Sequence, residues 1–373
     1  MKFNKIIIIC LVFALSACKQ KTEHTESNIP KNVILLISDG AGLSQISSAF
    51  YFKESSPNYA RFEEIGLINT SSSRQDITDS AAGGTALACG VKTYNGAIGV
   101  SDDSLAVKNI VEIVSSKNIK TGIIATSSIT HATPASFYAH TLNRGEAEKI
   151  ALHLTQSNVD FFAGGGLKYF NKRKDEKNLI EVLVNKKFSI DTTSISNFST
   201  IQNKEKVGFL LANNEMPRME EGRGDFLSSA TELAIQYLNK DNSGFFIMAE
   251  GSQIDWGGHE NNGTYLVSEL IDFDNTIGSA LDFAEKDGNT LVIVTSDHET
   301  GGFTLSAKKK KRKDGTMYND YSEVGMSFST GGHSASLIPV FAYGPGSEEF
   351  KGIYQNNEIF EKILKITNWK DKN

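Results

Sequence analysis

The 373-residue sequence is poor in cysteine and proline, with three and six of them. Cys10 and Cys18 lie in or directly after an N-terminal apolar segment, which leaves Cys89 in the body of the chain, so no intrachain disulfide is expected there. Cys89 lies in the apolar pattern of residues 86–91, and this predicts a small buried hydrophobic side chain. With no Pro/Ser-rich linker after residue 30, the pattern favours one large domain.

The sequence also lacks an excess of basic residues, since 38 Lys and Arg stand against 44 Asp and Glu, for a net charge of −6. Removal of residues 1–17 would take away two lysines and no acidic residue, changing the net charge to −8. An acidic body argues against nucleic acid as a partner. A composition of 39% hydrophobic and 22% charged residues is typical of a globular enzyme and excludes a disordered chain.

The apolar run at 6–15 is too short to span a bilayer and follows Lys2 and Lys5, which predicts a signal peptide over residues 1–17. Its end, LSAC at 15–18, resembles the lipobox of bacterial lipoproteins, in which Cys18 carries the lipid. The alternative is ordinary cleavage after Ala17 with an incidental thiol. Residues 18–30 are polar without periodicity and predict a lipid-anchored tether. We therefore expect a periplasmic or cell-surface protein, lipid-anchored to a bacterial membrane.

Four short apolar runs, each read as a buried strand, stop at side chains that bind metals. They are NVILLIS before Asp39, FFIMA before Glu250, TLVIVTS before Asp297 and His298, and TGIIATSS before His131 and Thr133. Such runs separated by helical patterns predict a parallel sheet covered on both faces, and ligands bind outside the carboxyl ends of its strands. The sequence predicts an α/β fold, a three-layer sandwich with a central, mostly parallel sheet, and one site at the four strand ends.

Spacing adds further candidate ligands. Asp255 and His259 are four residues apart, so one helical turn would bring both side chains to the same face, and carboxylate with imidazole suits zinc. His333 lies in STGGHSAS, where two glycines allow a close approach of the backbone. Each pair taken alone would more often be a surface or hydrogen-bonded pair. Three such elements beside strand-like runs favour a metal centre.

Ser80 is the candidate nucleophile. It lies in TDSAA at 78–82, before the small-residue pattern AAGGTALACGV that predicts a helix, and a helix N-terminus favours an anion. The alternative is that Ser80 merely caps the helix. Gly83 and Gly84 predict a locally loose helix, because each glycine costs about 1 kcal/mol in a helix interior.

The ordered motifs resemble those of bacterial alkaline phosphatases with two zinc ions and one magnesium ion. The resemblance covers residues 31–350 through SDGAG at 38–42, TDSAA, HATPASFYAHTLNR at 131–144, AEGSQIDWGGH at 249–259, TSDHETGG at 295–302 and TGGH at 330–333. It implies a catalytic domain over 31–373. It also implies a first zinc site of Asp255, His259 and His333, a second of Asp39, Asp297 and His298, and a magnesium site of Asp39, Thr133 and Glu250.

The same resemblance implies hydrolysis of phosphate monoesters through a phosphoserine on Ser80, with Arg144 holding phosphoryl oxygens through its planar fork. His131 and Trp256 stand where the best-known enteric enzyme carries Asp and Lys, so they are expected to alter substrate binding and the affinity for magnesium. Most members of the family are dimers, so the resemblance suggests a homodimer, although no residue identifies an interface.

The family also inserts a small crown-like lobe, expected here at about 303–330. Within it the run KKKKRK at 308–313 predicts a solvated loop, or alternatively a contact with anionic lipid headgroups. The rival enzymes are phosphodiesterases and sulfatases of the same superfamily. A sulfatase needs Cys or Ser in a C/S-x-P-x-R context, which Ser80 lacks, and a diesterase lacks the third-metal set. A noncatalytic zinc- or phosphate-binding lipoprotein is the alternative outside enzymes.

Overall fold

The computed structural model describes residues 29–370. The predicted signal peptide, Cys18 and the tether up to residue 28 lie outside the described residues, so the expected lipidation stays a prediction. Among the helices of residues 29–370, none combines the length and the apolar character that a membrane crossing needs.

This part of the chain forms fourteen strands and twelve α-helices. The strands are β1 (Asn32–Ser38), β2 (Glu64–Asn69), β3 (Lys120–Ser128), β4 (Phe161–Gly165), β5 (Phe188–Asp191), β6 (Lys206–Leu210), β7 (Phe245–Gly251), β8 (Thr290–Thr295), β9 (Glu299–Thr300), β10 (Thr304–Lys311), β11 (Met317–Ser327), β12 (His333–Ser334), β13 (Ile338–Tyr343) and β14 (Gly352–Gln355). The helices are α1 (Leu43–Phe52), α2 (Ser80–Cys89), α3 (Ile110–Ser115), α4 (Ala132–Ser136), α5 (Ala147–Gln156), α6 (Lys168–Asn171), α7 (Leu179–Asn185), α8 (Phe198–Ile201), α9 (Phe226–Leu238), α10 (Gln253–His259), α11 (Gly263–Asp287) and α12 (Glu358–Ile366).

Ten of these strands form one sheet in the order β14-β2-β13-β8-β1-β7-β3-β4-β6-β5. β13 runs antiparallel to both of its neighbours, whereas every other pair in the sheet is parallel. The expected mostly parallel sheet is therefore confirmed. The four strands that the sequence linked to ligands, β8, β1, β7 and β3, lie side by side at its centre.

Helices cover both faces of the sheet, and β1 shows how one strand serves both layers. Its side chains alternate, with Val33 and Leu35 in one hydrophobic core and Ile34 and Leu36 in the other. Residues of α2, α3, α5, α7 and α12 fill the first core, and residues of α1, α9 and α11 fill the second. Alternation follows from the two-residue period of a strand. The predicted three-layer sandwich is confirmed.

β10 and β11 form a separate antiparallel hairpin within the region where a crown-like insertion was expected. The basic run lies largely in β10, so its prediction as a loop was wrong. Lys308 pairs with Glu323, and Lys310 with Asp320 and Glu323. Cross-strand partners of opposite charge favour a strand here, because they offset the repulsion between consecutive lysines.

Candidate active site

The central strands deliver their ligands to one edge of the sheet. Ile37 of β1 pairs with Glu250 of β7 on one side and with Thr295 of β8 on the other. Asp39 and Asp297 each lie two residues after the paired residues Ile37 and Thr295, so they follow neighbouring strands at the same edge of the sheet. Both carboxylates are fully buried, as is Glu250. Parallel strands thus convert separate sequence motifs into one cluster, as the sequence predicted.

Helix α2 begins at Ser80, and Asp79 is its N-cap because the carboxylate accepts a hydrogen bond from Ala82 N at 3.0 Å. The alternative in which Ser80 itself caps the helix is therefore wrong. The Ser80 hydroxyl is free of that role and its Oγ lies 3.2 Å from Nε2 of His298. Ser80 is the first residue of a helix whose dipole favours an anion at this end.

Gly83 and Gly84 lie within a helix that is continuous from Ser80 to Cys89, so the expected local looseness stays a prediction. The helix is regular and buried over its whole length. A Cβ on Gly83 would lie 3.0 Å from the Asp297 side chain, and one on Gly84 would lie 3.2 Å from Cα of Thr133. The two glycines bring the nucleophile's helix close to two segments that carry candidate ligands, which explains their presence despite low helix propensity.

Three groups of side chains could each hold a metal ion, because within each group the ligand atoms all lie within 4.8 Å of one another. They consist of Asp39, Asp297 and His298, then Asp255, His298 and His333, and finally Asp39, His131 and Glu250. The groups share Asp39 and His298, so they form one continuous cluster. His259 borders it, with Nε2 3.2 Å from Nε2 of His333 and 3.4 Å from the Asp255 carboxylate. The structure thus brings together all the predicted zinc ligands.

Backbone carbonyls orient two of the imidazoles. Nδ1 of His259 lies 2.8 Å from the carbonyl oxygen of Gly331, and Nδ1 of His333 lies 2.8 Å from that of Thr78. Each Nδ1–H donates to its carbonyl, so Nε2 is the ring atom that faces the cluster, and it could bind a metal ion in place of a proton. Metal-binding histidines are commonly held in this way.

Several buried polar atoms of the cluster have no hydrogen-bond partner among the described residues. They are both oxygens of Asp39, Oδ2 of Asp297, Oε1 of Glu250, Oγ1 of Thr133 and Nδ1 of His131. A buried polar atom without a partner costs about 1–3 kcal/mol. A bound cation would satisfy such atoms, so this donor set fits metal ions. Carboxylate with imidazole suits zinc, whereas the oxygens of Asp39, Thr133 and Glu250 suit magnesium.

The pKa values of the cluster are shifted by burial and by the interactions of its closely spaced side chains. Burial and the neighbouring carboxylates raise the pKa of Asp39 well above its usual range, and burial raises the pKa of Glu250 to about 8. A hydrogen bond to Asp255 raises the pKa of His259 to about 9. Without a cation the cluster therefore favours bound protons in place of adjacent negative charges.

Arg144 pairs with Asp79, its guanidinium nitrogen lying 2.9 Å from the carboxylate. Burial opposes ionisation of Asp79, but Arg144 and the amides of Ala82 and Gly96 outweigh it and hold the pKa of Asp79 below its usual range. Asp79, the residue before Ser80, thus fixes one side of the guanidinium. Sequence reasoning missed this role, although the place of Asp79 within TDSAA is a signal that could have suggested it.

His131 and Trp256 also come together, with ring centroids 5.8 Å apart in an edge-on arrangement. Burial, with the charge of Arg144, lowers the pKa of His131 to about 4, so its imidazole is neutral near pH 7. Thr300 is a further residue that sequence reasoning missed. Its hydroxyl donates to the Asp255 carboxylate and lies 3.2 Å from Nδ1 of His298. The sequence signal for Thr300 is its place two residues after His298 in TSDHETGG.

The parallel-sheet fold and this cluster together define the class of metal-dependent α/β enzymes. Comparison with known proteins gives the family. A family model described as alkaline phosphatase matches residues 30–310 and 305–369. Alkaline phosphatase 3 of Bacillus subtilis (strain 168) is 32% identical, over 96% of this chain and 93% of the relative. The chain belongs to the alkaline phosphatase family, whose members are phosphomonoester hydrolases.

Solved structures agree. The alkaline phosphatase from the Antarctic bacterium TAB5 superposes with a TM-score of 0.90 at 68% identity, covering 92% of this chain and 99% of that one. A variant of the TAB5 enzyme with one histidine replaced by aspartate holds magnesium in its M3 site. It matches with a TM-score of 0.91 at 70% identity, over 92% of this chain and 99% of that one.

Proposed function

We propose that the chain hydrolyses phosphate monoesters of broad structure through a phosphoserine on Ser80, with two zinc ions and one magnesium ion. One observation carries the proposal. The Ser80 hydroxyl lies at the N-terminus of α2, 3.2 Å from His298 Nε2, and His298 belongs to two of the ligand groups. A nucleophile beside such a cluster suits in-line phosphoryl transfer.

The chain's own residues supply the steps. Oγ of Ser80 attacks phosphorus, the bond from phosphorus to the ester oxygen breaks, and the alcohol leaves with a proton. Water then attacks the phosphoserine, the bond from phosphorus to Oγ breaks, and inorganic phosphate is released. Arg144 binds two nonbridging oxygens through its fork, while Asp79 keeps that fork in place.

Metal ions would lower the pKa of the Ser80 hydroxyl and of the attacking water, and balance the charge on the phosphoryl group. We assign the first zinc to Asp255, His259 and His333, and the second to Asp39, Asp297 and His298. We assign magnesium to Asp39, Thr133 and Glu250. The magnesium in the TAB5 variant supports a third site here, because replacing a histidine by aspartate is the change that we expect to strengthen it at His131.

A monoesterase is favoured over a diesterase because Arg144, Thr133 and Glu250 are all present. A monoester has three nonbridging oxygens, so two can bind Arg144 while the third is left for the metal sites, whereas a diester has only two in all. A noncatalytic binder would not require a free hydroxyl at the helix N-terminus. The homodimer and the lipid anchor on Cys18 remain proposals from the sequence, and membrane fractionation of a Cys18→Ser variant tests the anchor, which the variant should lose.

Replacement of the nucleophile tests the mechanism. We expect Ser80→Ala to lower turnover of p-nitrophenyl phosphate by several orders of magnitude and to leave a residual, metal-dependent activity, because Arg144 and the metal ligands remain. No phosphoprotein should be trapped after brief incubation with labelled substrate. Ser47→Ala is the matched control, since its hydroxyl bonds to the Leu43 carbonyl within α1. Wild-type turnover in Ser80→Ala would show that the covalent mechanism is wrong.

A further inference from the structure

Glu299 follows the ligand His298 directly and has no role in the proposed chemistry. Glu299 as a whole residue is 4% exposed. It accepts hydrogen bonds from Nε2 of Gln45 at 2.6 Å, from N of Phe303 at 3.1 Å and from the hydroxyl of Ser334. These three donors are neutral and come from three separate segments of the chain.

Gln45 connects Glu299 to the loop that carries Asp39. Its Oε1 accepts from N of Gly42 at 3.1 Å, and its Nε2 donates to the carbonyl oxygen of Thr300 at 2.9 Å as well as to Glu299. A Cβ on Gly42 would lie 2.6 Å from Cγ of Glu299, so glycine is required for this close approach. One amide side chain thus ties the Asp39 loop to the segment that follows His298.

Ser334 connects Glu299 to the segment that carries His333. β12 and β9 are two residues long each, with Ser334 opposite Glu299 and His333 opposite Thr300. Most residues at 329–337 are at least partly exposed, so little apolar burial fixes this segment. Hydrogen bonds therefore contribute to the position of the His333 imidazole, together with its stacking on the His298 ring at 3.6 Å between centroids.

We propose that Glu299 is a positioning residue for the zinc ligands, holding the His333 segment and the Asp39 loop in register through Ser334 and Gln45. The inference rests on the proposed function, since it concerns the zinc sites assigned there. Removing a residue that is hydrogen-bonded to a metal ligand commonly lowers metal affinity about 10- to 100-fold. The effect should be largest for the zinc ion that His333 binds.

Zinc affinity tests the proposal without reference to catalysis. We expect Glu299→Gln to bind one of its two zinc ions about 10- to 100-fold more weakly in zinc-buffered dialysis, because the new amide nitrogen cannot accept a hydrogen bond. Ser334→Ala removes one hydrogen-bond donor and leaves Glu299 in place, so it should weaken the binding of the same zinc ion by a smaller factor. Glu54→Gln, an exposed change, is the control and should bind both ions as the wild type does.

The unfolding temperature of the metal-free proteins separates positioning from general stability. Without metal, we expect both variants to unfold near the wild-type temperature. When zinc is added, their unfolding temperatures should rise less than that of the wild type. Equal zinc affinity in wild type, Glu299→Gln and Ser334→Ala would overturn the inference. So would an equal loss of unfolding temperature with and without zinc. If Glu299→Gln does not fold, Ser334→Ala decides by the same criteria. Absence of zinc binding and of monoester turnover in the wild type would instead contradict the proposed function itself.

Discussion

At the scale of single residues, the site is built from side chains that are unfavourable without a cation. Asp39 is fully buried and neither of its oxygens has a hydrogen-bond partner in the described part of the chain. Burial of such groups lowers stability unless they are paired or bind a metal. These side chains therefore lower the stability of the metal-free fold, and metal binding offsets this loss. Residues beside them should influence which metal binds.

His131 is the residue with the clearest effect of this kind. It lies within 4.8 Å of ligand atoms of Asp39 and Glu250, yet its neutral imidazole adds no negative charge. Magnesium prefers oxygen ligands, whereas an imidazole nitrogen favours zinc. We therefore expect excess zinc to inhibit the wild type and magnesium to activate it. His131→Asp should tighten magnesium binding and relieve the inhibition by zinc.

Metal titrations of both proteins check this expectation. His131→Asn is the matched control, because it also removes the imidazole but adds no charge, and it should not reproduce the gain in magnesium affinity. Identical magnesium dependence in wild type and His131→Asp would show that position 131 does not control the site.

At the scale of elements, α3 and the segment before Arg144 are joined by an ion pair. Nε2 of His140 lies 3.2 Å from the carboxylate of Glu112, and its Nδ1 lies 2.6 Å from the carbonyl oxygen of Gly99. Both ring nitrogens face acceptors, which favours the imidazolium. The hydrogen bond to Glu112 accordingly raises the pKa of His140 above its ordinary 6.5.

This pair predicts a stability that depends on pH. Because the folded-state pKa of His140 is raised, its contribution is fully present below pH 6.5 and is lost as the pH rises through the raised pKa. The pKa of Glu112 is lowered from 4.5, because hydrogen bonds from His140 and Asn109 outweigh burial, so its contribution is present above pH 4.5. The pair is partly exposed, so it is worth less than about 1 kcal/mol.

Glu112→Gln tests this prediction, because Gln can still accept from N of Asn109 and keep the cap of α3. The loss in free energy of unfolding should be larger at pH 6 than at pH 9. Glu181→Gln is the control, since Glu181 holds the same position in the first turn of α7 and bonds to Asn178. A loss that does not change with pH would contradict the assignment of a charged His140.

At the scale of the whole molecule, the sequence predicted the centre of the fold better than its edges. β1, β3, β7 and β8 contain apolar runs that candidate ligands follow within a few residues. The local pattern therefore predicts both that they are strands and that they share an edge. The strand order and the antiparallel β13 depend on helix packing across the sheet, which local pattern does not contain. β10 was missed as a strand because its lysines become favourable only opposite the acidic residues of β11.

For the candidate site, the sequence predicted which residues come together better than it predicted the contacts between them. Motif spacing identified the candidate ligands that the structure brings together, because most of them follow a strand or share one helical turn, and His333 lies beside two glycines. The contacts of Asp79, Thr300 and Glu299 were not predicted, since each joins segments far apart in the chain and depends on exact loop positions. For Asp79 and Thr300 the sequence offers only their place within the motifs. Such partners become visible once the fold sets the distances.

As a phosphomonoesterase that depends on zinc and magnesium, the protein should combine one substrate preference with one metal content. The most direct test measures turnover of p-nitrophenyl phosphate and of bis-p-nitrophenyl phosphate on one preparation whose metal content is determined at the same time. We predict rapid hydrolysis of the monoester, little hydrolysis of the diester, two zinc ions per chain, and one magnesium ion per chain when magnesium is supplied. Loss of activity after chelation should be reversed by returning both metals. Preference for the diester, or a metal-loaded protein that hydrolyses neither substrate, would contradict the account.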